Sequence, residues 1–164
     1  MADIYLNHHN EAAINLLKAS GSACHLYNQS GRFRRGIYLF KLHKVGCDGN
    51  MQFAYHSAHA DQWYDLDGRE SDLGAVFTHR DGRLRLSADA MLYREAITDY
   101  RHLMLLERLV KSNPAQPIAR EAQAWLDGLE AKIKVGSDAN GVWPNSELDL
   151  IRATAARFID ALAG

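Results

Sequence analysis

Between Ser87 and Lys111 the apolar residues recur at helical spacing. Leu92, Ala96, Leu103, Leu106 and Val110 form one row, and Tyr93, Ile97, Tyr100 and Met104 a second beside it. A face this wide predicts a helix buried along much of its girth. Ser87 suits the N-cap, Asp89 falls in the first turn where the helix dipole favours an acid, and Asn113-Pro114 ends the run. Before this helix the pattern alternates between short apolar runs and helical stretches. Asp3–Leu6, Ala23–Tyr27 and Asn50–Tyr55 read as strands. Helices are expected from Asn10 (as cap) to about Ala19, with Ala13, Leu16 and Leu17 on the apolar side, and from Phe33 to Val45. This spacing is that of βαβ crossovers and a parallel sheet.

Ala75–Thr78 and Arg83–Leu86 flank Arg80-Asp81-Gly82, a hairpin signal. Beyond the central helix, Ile118, Ala122, Trp125, Leu126, Leu129 and Ile133 mark a second long helix. Asn145 or Ser146 is the expected cap of a last one, and Ser146-x-x-Asp149 approximates a capping box. The expected organisation is a β/α part over 1–112, with a hairpin at 75–86 and a closing helix at 87–111, then a helical extension over 113–164.

Composition changes this picture little. The 164 residues are 47 % apolar and 24 % charged with a formal net charge of −1, so no basic excess points to nucleic acid. No apolar run approaches membrane-spanning length, and the first residues carry no secretory signal. The expectation is a cytoplasmic protein as the chain stands, with Cys24 and Cys47 as reduced thiols. A longer parent protein would leave the location open.

Chemistry is expected at the carboxyl ends of parallel strands. Three predicted strands end in Asn7-His8-His9, Asn28-Gln29 and His56-Ser57, although strand ends are also polar because they meet water. His56-x-x-His59-x-Asp61 has donors for a metal, with solvated or substrate-facing histidines as the alternative. Asp65-x-Asp67-Gly68-x-Glu70-x-Asp72 alternates like a calcium loop but has Val76 where the twelfth-position acid belongs, as an ordinary acidic loop would. Ser57, His56 and Asp61 make no ordered triad. No metal or cofactor is expected. Trp63 and Tyr64 among carboxylates suit a sugar, a ring covering the apolar face of a pyranose, or else they pack under the loop.

Four stretches carry a resemblance. They are Tyr27-Asn28 with Arg35-Gly36-x-Tyr38; Gly46-Cys-Asp-Gly-Asn-Met-Gln-Phe-Ala-Tyr-His56; Asp67-Gly68-Arg69-Glu70 ahead of Asp81-Gly82; and Arg94-Glu-Ala-Ile-Thr-Asp-Tyr-Arg-His-Leu103. The chain resembles the C-terminal part of a bacterial glycoside-hydrolase-type barrel family related to β-N-acetylgalactosaminidases. The last stretch is similar to that family's Arg-x-Gly-Ile-x-Asp-Tyr-x-Tyr-Leu helix, with Ala96 for the glycine and His102 for the second tyrosine.

The resemblance implies an α/β fold made of the last three β/α units of a TIM-type barrel, a partial barrel followed by a C-terminal helical segment. It implies carbohydrate as partner and substrate contacts from Tyr27, Asn28, His56 and Trp63. The family's Asp-Glu pair would fall before Met1, so no catalytic residue is carried over. Arg94 and Asp99 are expected to anchor the last barrel helix. The alternatives are a non-catalytic module that dimerises, or pairs with the missing barrel portion, to cover its sheet edges, and a small α/β protein binding a metal or an anion.

Overall fold

The short apolar runs pair as strands, and the longer periodic stretches coil between them. The computed structural model describes residues 3–6, 10–27, 35–51, 56–57, 73–74, 76–78, 81–134 and 143–164. β1 (Asp3–Leu6), α1 (Glu11–Ala19), β2 (Ala23–Tyr27), α2 (Tyr38–Lys44) and β3 (Gly49–Met51) follow in order. The three strands form one parallel sheet in the order β1-β2-β3, with Ile4 opposite Cys24 and His25 opposite Gly49. Helical crossovers are what parallel neighbours require. Gly49 lies against the His25 ring, so closely that a Cβ there would stand 2.7 Å from its Nδ1.

The expected α1 is present, with Asn10 Oδ1 accepting from the Ala13 N–H at 2.8 Å. Gly21 ends the turn beyond it at a φ of +72°, where a side chain would be strained. The apolar side of α1 needs correction. Ile14 is fully buried and Leu17 packs beside it, whereas Leu16 is 72 % exposed. Leu16 is about 200° around the helix from Ile14 and points the other way.

α2 starts later than the expected Phe33. Arg35 and Gly36 precede the helix, Ile37 holds its cap position, and Phe33 is outside the described residues. Gly36 is a poor helix former, and Arg35 is drawn to carboxylates on other helices. β3 covers only the first part of the expected third strand, since 52–55 lie outside the described residues. His56 and Ser57 form a separate short strand, β4 (His56–Ser57), antiparallel to β5 (Leu73–Gly74). The hairpin is present as β6 (Val76–Thr78) and β7 (Leu84–Leu86).

The long helix is α3 (Ala88–Ser112), capped by Ser87, whose Oγ accepts from the Ala90 N–H at 3.1 Å. α4 (Pro117–Lys132) and α5 (Asn145–Ala163) complete the chain. α5 differs from expectation at its start. Pro144 holds the cap position, with its carbonyl accepting from Glu147 and Leu148, and Asn145 is already helical. Asp149 is not a capping-box partner; it reaches Arg35 at 2.7 Å.

Two cores result. Ile14, Cys24, Leu26 and Leu42 are buried together between the sheet, α1 and α2. The larger core joins Ile37 and Phe40 to Leu103, Leu106, Leu126, Leu148 and Ala155, so it draws on both sides of residue 112. α3 packs on α2, α4 and α5. The fold is mixed α/β and mostly helical, with a small parallel sheet at one end of a helical assembly.

Candidate functional site

In a parallel sheet the strands end at a common edge. Leu6 lies opposite Leu26, and Tyr27 opposite Met51. Tyr27, an expected sugar contact, therefore stands half-buried at the carboxyl edge. Asn28 and Trp63 lie outside the described residues, as does the side chain of His56. His56 itself belongs to β4, opposite Gly74. His59, Asp61 and the acidic stretch 65–72 also lie outside the described residues. Among the described residues no three His, Cys, Asp or Glu side chains cluster to hold a metal ion. No described helix is long and apolar enough to cross a membrane.

A cavity of about 310 Å³ opens where the chain enters β3, between α2 and α3. Leu39 and Leu42 of α2 and Ile97 of α3 give it apolar walls. Tyr93, Ile97, Tyr100 and Arg101 share one face of α3, at the i, i+4, i+7 and i+8 positions. The apolar periodicity predicts the first three of these as core residues. Two members of the row are tyrosines, however, whose hydroxyls need polar surroundings. Burial raises the pKa of both Tyr93 and Tyr100, so both stay neutral hydroxyls. Asn50 stands at the floor, its Nδ2 donating to the Tyr93 hydroxyl at 3.3 Å. The His43 ring meets Tyr100 edge-on, with centroids 6.2 Å apart. Among the described residues Tyr27 does not line this cavity.

Asp48 and Cys47 also reach it. Asp48 accepts from the Cys24 backbone N–H at 2.8 Å and from the Lys18 ammonium at 3.1 and 3.2 Å. The Cys24 N–H first, and then Lys18, hold its carboxyl below the usual carboxylate range. Both cysteines are free thiols. Cys47 Sγ donates to the Cys24 carbonyl, with a second carbonyl, that of Gly49, also at 3.3 Å. Burial pushes the Cys24 thiol up to about 11 and raises that of Cys47 as well, so neither is an activated nucleophile at neutral pH.

Two charge clusters brace this region. Asp99, 2 % exposed, accepts from Arg35 Nε at 2.9 Å and also from Arg152 Nε, while Arg152 Nη1 reaches Glu95 at 2.8 Å. A buried Arg–Asp pair is therefore present, but Arg94 is not its arginine. Arg94 is 65 % exposed and, among the described residues, pairs only with Glu95, at 3.7 Å. Residues five apart on a helix lie about 140° apart around it, so Arg94 and Asp99 face different ways. The Asp99 pairs join α3 to α5 and to the segment leading into α2, not to a strand.

Glu107, 5 % exposed, accepts from Lys44 at 3.2 Å and Lys111 at 3.1 Å. Burial alone raises its carboxyl pKa, but the two ammoniums outweigh burial and hold it below its ordinary value. Asp48 and Glu107, with pKa values lower folded than unfolded, contribute stability that is complete above the unfolded carboxylate range. That stability is lost as the pH falls through their folded values. The urea midpoint is accordingly expected to fall between pH 7 and about pH 3, and Glu107→Gln to flatten that dependence. A midpoint equally pH-dependent in the variant would remove Glu107 from the account.

The class these observations define is a mixed α/β protein with a three-stranded parallel sheet and a cavity beside its third strand. No family model, curated protein or solved structure matches the chain.

Proposed function

We propose that this chain is a carbohydrate-active protein, the C-terminal portion of a glycoside-hydrolase-like (β/α)₈ barrel. It contributes substrate contacts and lacks the catalytic acid pair. The observation that carries this reading is the meeting of two of the four motif stretches. Arg35, from Arg35-Gly36-x-Tyr38, donates to Asp99, from the Arg94–Leu103 stretch, although 64 residues separate them. Residues that resemble a family's motifs thus also hold one another in place, as parts of one architecture do. The order β1-β2-β3, parallel and sequential with helices between, is the order of consecutive β/α units.

The sugar would sit at the carboxyl edge of the sheet, with Tyr27 as the described contact and Asn28, His56 and Trp63 as its neighbours in the proposal. A thermal melt with a panel of monosaccharides including N-acetylgalactosamine tests it. A sugar present at ten times its Kd stabilises the native state by about 1.4 kcal/mol. That raises Tm by about 3–6 °C for a chain of this size, and Tyr27→Ala should abolish the rise. A cooperative transition that no sugar moves would overturn the carbohydrate reading.

One observation favours a second reading. Among the described residues β1 and β3 each pair only with β2, which leaves two sheet edges. A non-catalytic module covering those edges with a second copy, or with the rest of a barrel, would give a melt that sugars do not move and that rises with protein concentration.

A further inference from the structure

The geometry points to a second ligand site, the cavity between α2, α3 and the start of β3, shaped for a small aromatic carboxylate. This goes beyond the sugar reading, because the cavity adjoins the amino end of β3 and the proposed sugar contacts gather at the carboxyl edge.

Size sets the first limit. At roughly 30 Å³ per water molecule, 310 Å³ holds about ten waters, or a ligand of about ten non-hydrogen atoms. The walls set the second. Leu39, Leu42 and Ile97 are apolar, and the Tyr100 ring offers an edge or face to a second aromatic ring.

Charge sets the third. Asp48 is the carboxylate on the wall, and Lys18 already matches it at 3.1 Å. Glu107, which approaches His43 at 3.8 Å from behind, is matched by Lys44 and Lys111. The two tyrosines stay neutral, because burial raises their pKa. Arg101 is different: it is exposed at the wall and makes no ion pair among the described residues. Among the described residues the lining therefore carries one unmatched positive charge, on the side chain best suited to grip a carboxylate in a two-pronged hydrogen bond. Arg101 lies four residues along α3 from Ile97, about 6 Å at 1.5 Å per residue, and helical side chains lean back toward the N-terminus. A ring against Ile97 and Tyr100 with its carboxylate at Arg101 fits that span.

Phenylacetate, with ten non-hydrogen atoms, is the probe, and phenylacetamide is its uncharged isostere. Titrating each into the ¹⁵N-labelled full chain should show saturable amide shifts for phenylacetate in α2, β3 and α3, at millimolar Kd. Phenylacetamide should bind about tenfold more weakly, the scale of one charge-assisted hydrogen bond. Arg101→Gln, a change at an exposed position, should bring the two probes to equal affinity. Equal binding of both probes to the natural chain would overturn the proposal. So would an unchanged ratio in Arg101→Gln, or no saturable shift at these residues. None of these outcomes bears on the sugar melt, which reads the other end of the sheet.

Discussion

Asp99→Ala lowers stability by about 3–5 kcal/mol, the scale for breaking a buried ion pair from one side. The side chain of Asp99 is 1 % exposed and accepts from two guanidiniums, those of Arg35 and Arg152, which are themselves 8 % and 26 % exposed. Removing the carboxylate strands both cations in a poorly solvated site. Arg152 retains Glu95, and Arg35 retains Asp149, whose own side chain is 67 % exposed. Those partners are closer to water and compensate little. For a chain of this length the loss corresponds to a Tm fall of about 6–20 °C. Arg94→Ala is the control and should stay within about 0.5 kcal/mol, because its side chain is mostly in solvent. Thermal melts of the two variants distinguish the pairing described here from a pairing of Arg94 with Asp99, which predicts comparable losses.

Phe40→Ala has an effect of the same order, about 3–5 kcal/mol, for a different reason. Among the described residues Phe40 is the largest of the fully buried side chains, and it belongs to α2, beside the sheet. Yet it packs in the core built by α3, α4 and α5. With Ile37 it is the apolar bolt between the sheet end of the molecule and the helical end. Truncation leaves a void in that core, into which α2 projects Ile37 and Phe40 from the sheet end of the molecule. The urea midpoint should fall while the slope of the transition stays constant, as for a chain that unfolds as one unit. A loss of only about 1 kcal/mol would mean that α2 is not seated on the helices as described.

The helical periodicity of 87–111 was readable because its apolar rows span the whole of α3 and its cap is local: Ser87 bonds Ala90, three residues on. The parallel sheet was readable for a similar reason, since short apolar runs separated by helical stretches leave few other topologies. Partnerships at long range were not. Arg35 and Asp99 are 64 residues apart, and Arg152 and Asp99 are 53 apart. A composition of ordinary charges does not say which arginine meets which acid. The cavity was hidden differently. Tyr93, Ile97 and Tyr100 follow the periodicity of a core face, and only the position of α2 decides that this row borders a space. The α5 cap departs from the expected Asn145 or Ser146 because Pro144 supplies the carbonyl at the helix start, displacing the better side-chain capper Asn145 by one position.

Gly49 and His25 carry a consequence for alignment during folding. Gly49–Met51 offers little alternation between apolar and polar side chains by which to choose the partner positions of β3. Opposite His25 only a residue without a Cβ fits undisturbed, since a Cβ would stand 2.7 Å from the imidazole. Sliding β3 by one residue in either direction would put Asp48 or Asn50 at that place, and both carry side chains. The glycine therefore acts as a key in a lock, rejecting the shifted pairings that this segment would otherwise tolerate. It holds Asn50 beside Tyr93 and Asp48 beside Lys18, and so keeps the floor of the cavity in place.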